Sequence, residues 1–202
     1  MHPVKRLPLA IVQERMRKLS NTLGVDDVPS EKHHRGDVGV IGVVGCGTRM
    51  DGLVHNKVRK DGRNATRVIR DLVLCTKFEP HVQLVLLQGI TFAGFNVVDI
   101  HALADELQRP VMVVSRKQPN FDAIEHALRT RVKGGGRKWA LIDKAGRPEP
   151  LEGVYVQRAG LTVDEARYAL QNTRLHGALP EPIRLAHVIG AGWVLGESHG
   201  RA

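Results

Sequence analysis

Two short, largely apolar runs, Gln83–Leu87 and Val111–Val114, constrain the possible folds of this chain more than any other feature. Between them, apolar residues recur from Ile100 to Leu107 at the spacing of one helical face. Apolar strands joined by a helix are typical of parallel pairs that are buried on both faces and connected by right-handed crossovers. The sequence therefore predicts an α/β core with parallel strands.

Three further strands are predicted before this core, in the segments Thr22–Val28, Val38–Cys46 and Leu53–Arg59. The polar loop Pro29–Asp37 separates the first strand from the second, and the turn Gly47–Gly52 separates the second from the third. Apolar runs divided by short polar connections favour an antiparallel meander of three strands.

Helical periodicity follows the meander and returns several times before the carboxy terminus. The first helix has Asn64 or Thr66 as its candidate N-cap, carries an apolar face that includes Ile69, and is expected to end at Pro80. Later helices are predicted over Phe121–Val132, Thr162–Leu175 and Glu181–Leu195.

A triple glycine, Gly134–Gly136, is expected to interrupt the helices and to form a mobile loop. After it, Trp139–Asp143 and Val154–Gln157 are predicted to pair as a carboxy-terminal hairpin. The core order is three antiparallel strands, then helix, strand, helix, strand and helix. This order predicts a ribonuclease H-like mixed sheet with an added hairpin and helices, although periodicity alone leaves other mixed α/β sheets open.

The length of 202 residues predicts a single domain, with residues 1–20 as a polar amino-terminal arm. No apolar stretch approaches the roughly 20 residues of a membrane-spanning helix, and His2–Lys18 lacks the apolar core of a signal peptide. Cys46 and Cys75 form neither a C-x-x-C pair nor a disulfide framework. These features predict a cytoplasmic protein without a membrane partner, and they leave its oligomeric state open.

The formal charge of +9 and the pI near 10 favour a nucleic-acid partner, since basic surface displaces counterions from a phosphate backbone. Arg63, Arg67 and Arg70 recur at helical spacing and could contact phosphates as one basic stripe. A second basic patch surrounds the triple glycine and consists of Lys133, Arg137 and Lys138. Solvated surface charge is the alternative explanation for both groups.

Acidic residues at the ends of predicted elements are the candidate metal ligands and catalytic residues. Asp26 and Asp27 end the first strand, where only one of them is required to face the site, because adjacent strand residues point in opposite directions. Asp61 lies in an Asp-Gly turn after the third strand, and Asp99 begins a helix. Nucleases that use metal ions hold Mg²⁺ with such carboxylates, whereas a turn residue or a helix cap is the structural alternative.

The segment from Leu87 to Asp99 passes from a strand through a glycine turn into a helix. Open α/β sheets bind ligands at this position. Phe92 and Phe95 could stack on a base or displace it, although core packing is the alternative for at least one of them. Asn96 could contact nucleic acid or cap the helix. No H-E-x-x-H, Walker or G-x-G-x-x-G motif occurs.

Five segments carry a further signal: GVDD (Gly24–Asp27), KDGRNAT (Lys60–Thr66), GITFAGFNVVDI (Gly89–Ile100), PVMVVSRKQP (Pro110–Pro119) and PEPIRLAHVIGAGWVLGESHGRA (Pro180–Ala202). In this order they resemble the archaeal DUF99 family, also called UPF0215 or endonuclease dU, a distant relative of endonuclease V. The resemblance implies a ribonuclease H-like fold. It also implies a DNA-repair endonuclease that depends on Mg²⁺ or Mn²⁺ and nicks DNA at deaminated bases, specifically deoxyuridine.

By this likeness, Asp26 matches the first metal-binding acid of endonuclease V, and Asp61 is the candidate for the second. Endonuclease V has an aspartate where this chain has Gln88, and Asn64 stands where an acid is expected in many relatives. Either Asp27 or Asp99 would then supply the missing charge. Two alternatives remain: a non-catalytic protein that binds nucleic acid through a degenerate nuclease site, and a hydrolase of small nucleotides.

Overall fold

A seven-stranded mixed sheet forms the centre of the structure, a computed structural model that describes residues 16–198. The strands are β1 (Asn21–Asp27), β2 (Asp37–Cys46), β3 (Arg49–Arg59), β4 (Leu84–Gln88), β5 (Thr91–Phe92), β6 (Asn96–Val97), β7 (Val111–Ser115), β8 (Glu149–Leu151) and β9 (Val154–Ala159). The main sheet has the order β3-β2-β1-β4-β7-β9-β8, and β5 and β6 form a small separate hairpin.

The pairing of the strands confirms the predicted meander and the predicted parallel core. β1, β2 and β3 are antiparallel neighbours, while β4 pairs in parallel with β1 on one side and with β7 on the other. In the parallel pair of β1 and β4, Val25 lies beside Leu87. Asp26 and Gln88 therefore follow at neighbouring positions, where the two strands end.

Helices cover both faces of the sheet. They are α1 (Ala65–Leu74), α2 (Ile100–Leu107), α3 (Phe121–Arg131), α4 (Gly135–Lys144), α5 (Val163–Thr173) and α6 (Glu181–Leu195). On one face, Val25 and Leu87 belong to the same apolar cluster as the buried side of α1 and α2. On the other face, Leu84 and Met112 pack with residues of α5 and α6.

A glycine brings α6 directly against β1. A Cβ atom added at Gly24 would lie 2.4 Å from the carbonyl carbon of Pro182, in the first turn of α6. Farther along the helix, a Cβ atom at Gly190 would lie 3.1 Å from a methyl group of Val28. The residues after Pro182 on α6 are therefore held close to the carboxyl end of β1.

The predicted strand Trp139–Asp143 is wrong, because these residues lie within α4. Gly134 has a left-handed φ of 72° and reverses the chain, and Gly135 and Gly136 lie in the first turn of α4 instead of a mobile loop. A Cβ atom at Gly135 would lie 1.7 Å from the carbonyl oxygen of Leu128, so only glycine permits this approach of α4 to α3. The carboxy-terminal hairpin does exist, but it is formed by β8 and β9.

Other predicted boundaries differ by smaller amounts. Asn64 is the N-cap of α1, although its side chain makes no capping hydrogen bond, and α1 ends at Leu74 before Pro80 is reached. Glu181–Leu195 is confirmed as a helix. Most of the predicted amino-terminal arm lies outside the described residues. Among the helices of 16–198, none is both long and apolar enough to cross a membrane.

Candidate active site

The carboxyl ends of the parallel strands meet under α6, and polar side chains gather there. Asp26 lies near the end of β1, Gln88 ends β4, and Arg116 follows the last residue of β7. From α6, His187 places its Nδ1 atom 2.9 Å from Oδ2 of Asp26. Such strand ends are the usual ligand-binding position in an open α/β sheet.

Asp26 and His187 form a partly buried hydrogen-bonded pair. The side chain of Asp26 is 6% exposed, and its Oδ1 atom accepts a hydrogen bond of 2.9 Å from the backbone N–H of Asp27. Burial raises the pKa of Asp26, while the hydrogen bond and the charge of His187 oppose that rise. The same hydrogen bond raises the pKa of His187. The pair therefore holds a proton between a buried carboxylate and a partly exposed imidazole.

Gln88 presents an amide oxygen on the same side of the sheet as Asp26. The alternation of β4 places Gln88 with Leu84 and Leu86, whose side chains pack towards α5 and α6. Its Oε1 atom is buried and has no hydrogen-bond partner within the described chain. A buried acceptor without a partner costs about 1–3 kcal/mol. This oxygen is therefore an unpaired acceptor on the same side of the sheet as Asp26.

Asp27 points to the opposite side of β1 and holds the turn between β5 and β6. Its Oδ2 atom accepts a hydrogen bond of 2.8 Å from the backbone N–H of Ala93. Burial, together with the charge of Asp26, raises the pKa of Asp27 to about 6. Asp27 is therefore a carboxyl group that can gain or lose a proton near neutral pH.

Asp61 holds the same turn from its other side. Its backbone N–H donates to the carbonyl of Ala93, and its Oδ1 atom accepts a hydrogen bond of 2.8 Å from the N–H of Phe95. Gly94 has a φ of 85°, and a Cβ atom there would lie 2.4 Å from Oδ1 of Asp61. Asp27 and Asp61 thus converge on residues 93–95 instead of on Asp26.

The donor set around Asp26 suits one divalent cation that keeps part of its water shell. Within residues 16–198, no three His, Cys, Asp or Glu side chains form a group that could hold a metal ion. Mg²⁺, however, is usually bound by one or two carboxylates together with water and substrate oxygens. The carboxylate of Asp26 and the unpartnered oxygen of Gln88 fit that requirement.

Asp99 does not join these groups. It is the N-cap of α2, where its Oδ1 atom accepts from the backbone N–H of Ala102, and its carboxylate forms an ion pair of 3.0 Å with Lys144. The structural alternative, a helix cap, therefore describes what Asp99 does in this fold. Of Asp27 and Asp99, the two acids expected to supply the missing charge, Asp27 is the one that lies beside Asp26, as its neighbour in β1.

Two of the three residues proposed to contact nucleic acid after β4 are buried, and this corrects the prediction. Phe92 is fully buried in the main apolar cluster, so its ring is not accessible to a base. Asn96 is also fully buried; its Oδ1 atom accepts from the N–H of Ala65 and its Nδ2 atom donates to Asn64 and Arg59. Asn96 therefore stabilises the first turn of α1.

Phe95 is the one that remains near the surface. It lines an open groove of about 570 Å³ together with Gly94 and Asp61. Apart from Val132, the other lining residues are basic: Lys32, Lys60, Arg131 and Lys133. The groove therefore presents one aromatic side chain among positive charges, an arrangement suited to a nucleotide.

The three arginines of the stripe differ in how strongly carboxylates of the same fold hold them. Arg63 is exposed and lines a second basic depression beside Asp61. Arg67 is exposed and lies 3.3 Å from Asp71, whereas Arg70 is held by both Asp71 and Glu106, at 2.8 and 3.0 Å. Arg63 and Arg67 are thus more available to phosphates than Arg70.

The predicted patch around the triple glycine is only partly a surface patch. Lys138 is 3% exposed, and its amine donates a hydrogen bond to the backbone carbonyl of Asp61. Burial lowers the pKa of this amine. Lys138 therefore connects α4 to the Asp61 turn, a role that its position among other basic residues did not reveal.

His187 and Arg116 were not identified from the sequence. His187 is one of ten histidines, and 161 residues separate it from Asp26. A histidine on the same helical face as Ile183 and Ala186 was the available signal, but such a residue is commonly part of a core. Arg116 lies close enough for its charge to oppose protonation of His187.

Comparison with known proteins gives consistent results for sequence and fold. The sequence model described as endonuclease dU matches residues 18–194. A UPF0215 protein of Deinococcus radiodurans is 48% identical over 184 residues, which cover 91% of this chain and 94% of that protein. A UPF0215 protein of Methanothermobacter thermautotrophicus is 38% identical over 184 residues, covering 89% and 90%.

Solved structures confirm the ribonuclease H-like fold. A crystal structure of a protein from Archaeoglobus fulgidus has a TM-score of 0.80 and 30% identity, with 89% of this chain and 99% of that chain covered. Endonuclease V of Ciona intestinalis, in complex with a 24mer DNA containing an inosine followed by a ribo-adenosine, has a TM-score of 0.53 and 14% identity. That match covers 84% of this chain and 83% of the other. At this identity the second likeness concerns the fold alone.

Proposed function

Because the chain belongs to the endonuclease dU family, we propose that it is a divalent-metal-dependent endonuclease that nicks DNA at deoxyuridine, the product of cytosine deamination. The observation that carries the proposal is the buried pair of Asp26 and His187 beside the unpartnered oxygen of Gln88. All three lie where parallel strands end. Open α/β sheets usually bind their ligands at this position.

The choice of substrate is supported by the surface and by a relative of the same fold. Positive charge lines the groove beside Phe95 and continues along Arg63 and Arg67, which suits a phosphate backbone. The endonuclease V of Ciona intestinalis was crystallised with DNA containing inosine, which is itself a deaminated base. By analogy, we propose that the DNA substrate of this chain also contains a deaminated base.

The carboxylate of Asp26 and the amide oxygen of Gln88 would hold Mg²⁺ or Mn²⁺, which supplies a water of lowered pKa and stabilises negative charge on the phosphate. His187 places its Nδ1 atom on Asp26, and its partly exposed ring would donate a proton to the leaving oxygen. Arg116 places a positive charge close to His187, where it can bind the phosphate.

Asp27 and Asp61 act on the turn that carries Phe95. Both carboxylates accept backbone N–H groups of residues 93–95. They therefore fix the position of Phe95 relative to Asp26, and we assign them to positioning the DNA. Asp61 was expected to bind the metal directly, and its hydrogen bond to Phe95 favours this other role.

A second candidate function is nucleic-acid binding without cleavage. Gln88 favours it, because an amide binds a divalent cation more weakly than a carboxylate does. The same basic groove would serve a binding protein. The two candidates differ in whether added metal changes the DNA or only its affinity.

A nicking assay distinguishes them. The full chain is incubated with a labelled duplex that contains one uracil, in Mg²⁺, in Mn²⁺ and in EDTA, next to the same duplex with cytosine. We expect metal-dependent nicking of the uracil strand, and its loss in Asp26→Asn because the buried carboxylate is removed. Asp164→Asn, a change at a residue whose side chain is 76% exposed, is the matched control and should nick normally.

Binding of both duplexes is measured in parallel. Uracil-selective binding with no nicking in either metal would favour the binding protein. Nicking that survives unchanged in a folded Asp26→Asn protein would exclude the proposed site.

A further inference from the structure

A row of three side chains crosses the sheet beneath α6 and joins the candidate active site to β3. Asp26 of β1 lies opposite Ile41 of β2, and Ile41 lies opposite His55 of β3. Residues directly opposite each other in antiparallel strands point to the same face of the sheet. At one end of the row His187 contacts Asp26, and at the other end Trp193 packs edge-on against His55, with the ring centroids 5.5 Å apart. Both contacts come from α6.

The two ends of this row are close together on the scale of a nucleic-acid strand. Neighbouring strands of a sheet lie about 4.8 Å apart, so about 10 Å separates the backbones of β1 and β3. Stacked nucleotides rise by about 3.4 Å along one strand of a duplex. A DNA strand with its scissile phosphate at Asp26 therefore reaches Trp193 within about three nucleotides.

Trp193 offers an aromatic surface at this position. Its side chain is 62% exposed although its ring already contacts His55. That contact restricts the orientation of the ring, so a ligand that covers Trp193 immobilises little that was free before. Exposed aromatic rings of this kind are the stacking platforms of proteins that bind single-stranded nucleic acid.

Basic side chains continue from His55 towards the edge of the sheet that holds the candidate active site. The pairing of β3 with β2 is regular from Gly52 to Arg59, so Lys57 and Arg59 point to the same face as His55. Both are exposed. Arg59 lies 3.7 Å from Asp37, but both side chains of this pair are more than half exposed. Such a pair is weak and leaves the guanidinium open to a phosphate.

We propose that Trp193 and His55 form a stacking site for an unpaired base of the DNA strand that is cut, and that Lys57 and Arg59 bind phosphates of the same strand. The inference rests on the proposed function, because it takes DNA as the ligand. It adds a contact surface on the α6 face of the sheet, whereas Asp27, which holds the turn before Phe95, points to the opposite face.

The combination of groups favours a nucleotide over an apolar protein surface. A nucleotide presents an aromatic base together with an anionic phosphate, which match Trp193 and its neighbouring cations. An apolar partner would leave Lys57 and Arg59 without a counter-charge, and charged residues are depleted from the centre of protein interfaces. Leu53, which is exposed on the same face as His55, is the residue on which an apolar contact would depend.

Fluorescence of Trp193 tests the stacking directly. The chain has two tryptophans, so Trp139→Phe leaves Trp193 as the single reporter. We titrate this full-length variant, in EDTA, with a single-stranded oligonucleotide that contains one uracil. We expect quenching that saturates together with the anisotropy of the labelled oligonucleotide, because a base then stacks on the ring.

Affinities of surface variants identify the kind of contact. Trp193→Leu keeps an apolar side chain without an aromatic face and should bind the oligonucleotide about fivefold or more weakly, whereas Trp193→Phe should stay within about threefold of the parent. Lys57→Ala should lower the slope of log K against log salt by about 0.7. Leu175→Ala removes an apolar side chain that is 59% exposed elsewhere and should bind normally.

The outcomes separate this inference from the proposed function. Fluorescence that DNA does not quench, or a Trp193→Leu variant that binds DNA like the parent, would overturn the stacking site and leave the surface to an apolar protein contact. The parent could still nick the uracil duplex, and the proposed function would then stand without it. Quenching by DNA in a protein that nicks in neither metal would retain the stacking site for a protein that only binds.

Discussion

At the level of single residues, Gln88 places an amide oxygen where a carboxylate would suit a divalent cation better. Its Oε1 atom is buried and has no hydrogen-bond partner within residues 16–198. A second carboxylate beside the buried Asp26 would instead raise repulsion whenever no cation is bound. In the proposed metal site the glutamine would avoid this repulsion but would bind the cation more weakly, so its replacement should separate these two effects.

We expect Gln88→Asp to nick uracil-containing DNA at a lower Mg²⁺ concentration than the parent, because it adds a carboxylate beside Asp26. In EDTA the variant should melt at a lower temperature, owing to the added like charge. Gln88→Leu is the matched control: it removes the buried acceptor, so it should be no less stable in EDTA while losing metal-dependent nicking. Identical Mg²⁺ titrations for Gln88→Asp and the parent would show that residue 88 does not contact the metal.

Sequence reasoning identified one half of the Asp26–His187 pair and not the other. An acid at the end of an apolar strand is a local pattern, so Asp26 could be found from its neighbours. His187 becomes significant only when α6 folds back onto β1 across 161 residues, and no local pattern reports that contact. The prediction that Phe92 and Asn96 contact nucleic acid failed for a similar reason. The turn sequence is compatible with these side chains pointing either into the core or towards solvent, and both are buried in the structure.

At the level of elements, the contact between α6 and β1 positions His187. It depends on Gly24, where any Cβ atom would overlap the backbone of Pro182 and Ile183 at about 2.5 Å. Backbone atoms in the first turn of a helix cannot move aside as a flexible side chain can. A small change in β1 should therefore displace the whole helix.

We expect Gly24→Ala to lower the free energy of unfolding by about 1–3 kcal/mol, the usual cost of overpacking, and to reduce nicking as His187 moves away from Asp26. Gly192→Ala, in α6, is the control, since nothing lies within 4 Å of its added Cβ atom. It should raise stability by roughly 0.5–1 kcal/mol through the better helix propensity of alanine. Denaturant unfolding and the nicking rate of both variants give the comparison. Equal stability of Gly24→Ala and the parent would mean that α6 does not rest on β1 in this way.

Secondary structure was predicted correctly where a segment has a long apolar periodicity. The prediction was wrong where glycines determine the direction of the backbone. The parallel core and the Glu181–Leu195 helix follow from apolar spacing alone. The sequence predicts a strand over Trp139–Asp143 because Lys144–Arg147, which follow it, are rich in turn-forming residues. Gly134 instead makes a sharp turn, and Gly135 allows α4 to approach α3, so tertiary packing determined the helix.

At the level of the whole molecule, the net charge of +9 is distributed unevenly around the site. Basic residues line the groove beside Phe95 and the depression that contains Arg63. Arg70, by contrast, is already neutralised by Asp71 and Glu106. The contribution of each arginine to DNA binding should therefore follow its pairing within the fold and not its place in the helical stripe.

Salt dependence measures this contribution directly, because each phosphate contact releases counterions and adds about 0.9 to the slope of log K against log salt on duplex DNA. We expect the double variant Arg63→Ala and Arg67→Ala to lower that slope by up to about 1.8. Arg70→Ala should leave the slope unchanged, since its guanidinium is held by two carboxylates. Fluorescence anisotropy with a labelled uracil duplex at several NaCl concentrations, in EDTA to prevent cleavage, gives the three slopes.

A double variant with the slope of the parent would leave Arg63 and Arg67 as solvated surface charge. An equal loss in Arg70→Ala would mean that its pairs with Asp71 and Glu106 open when DNA binds.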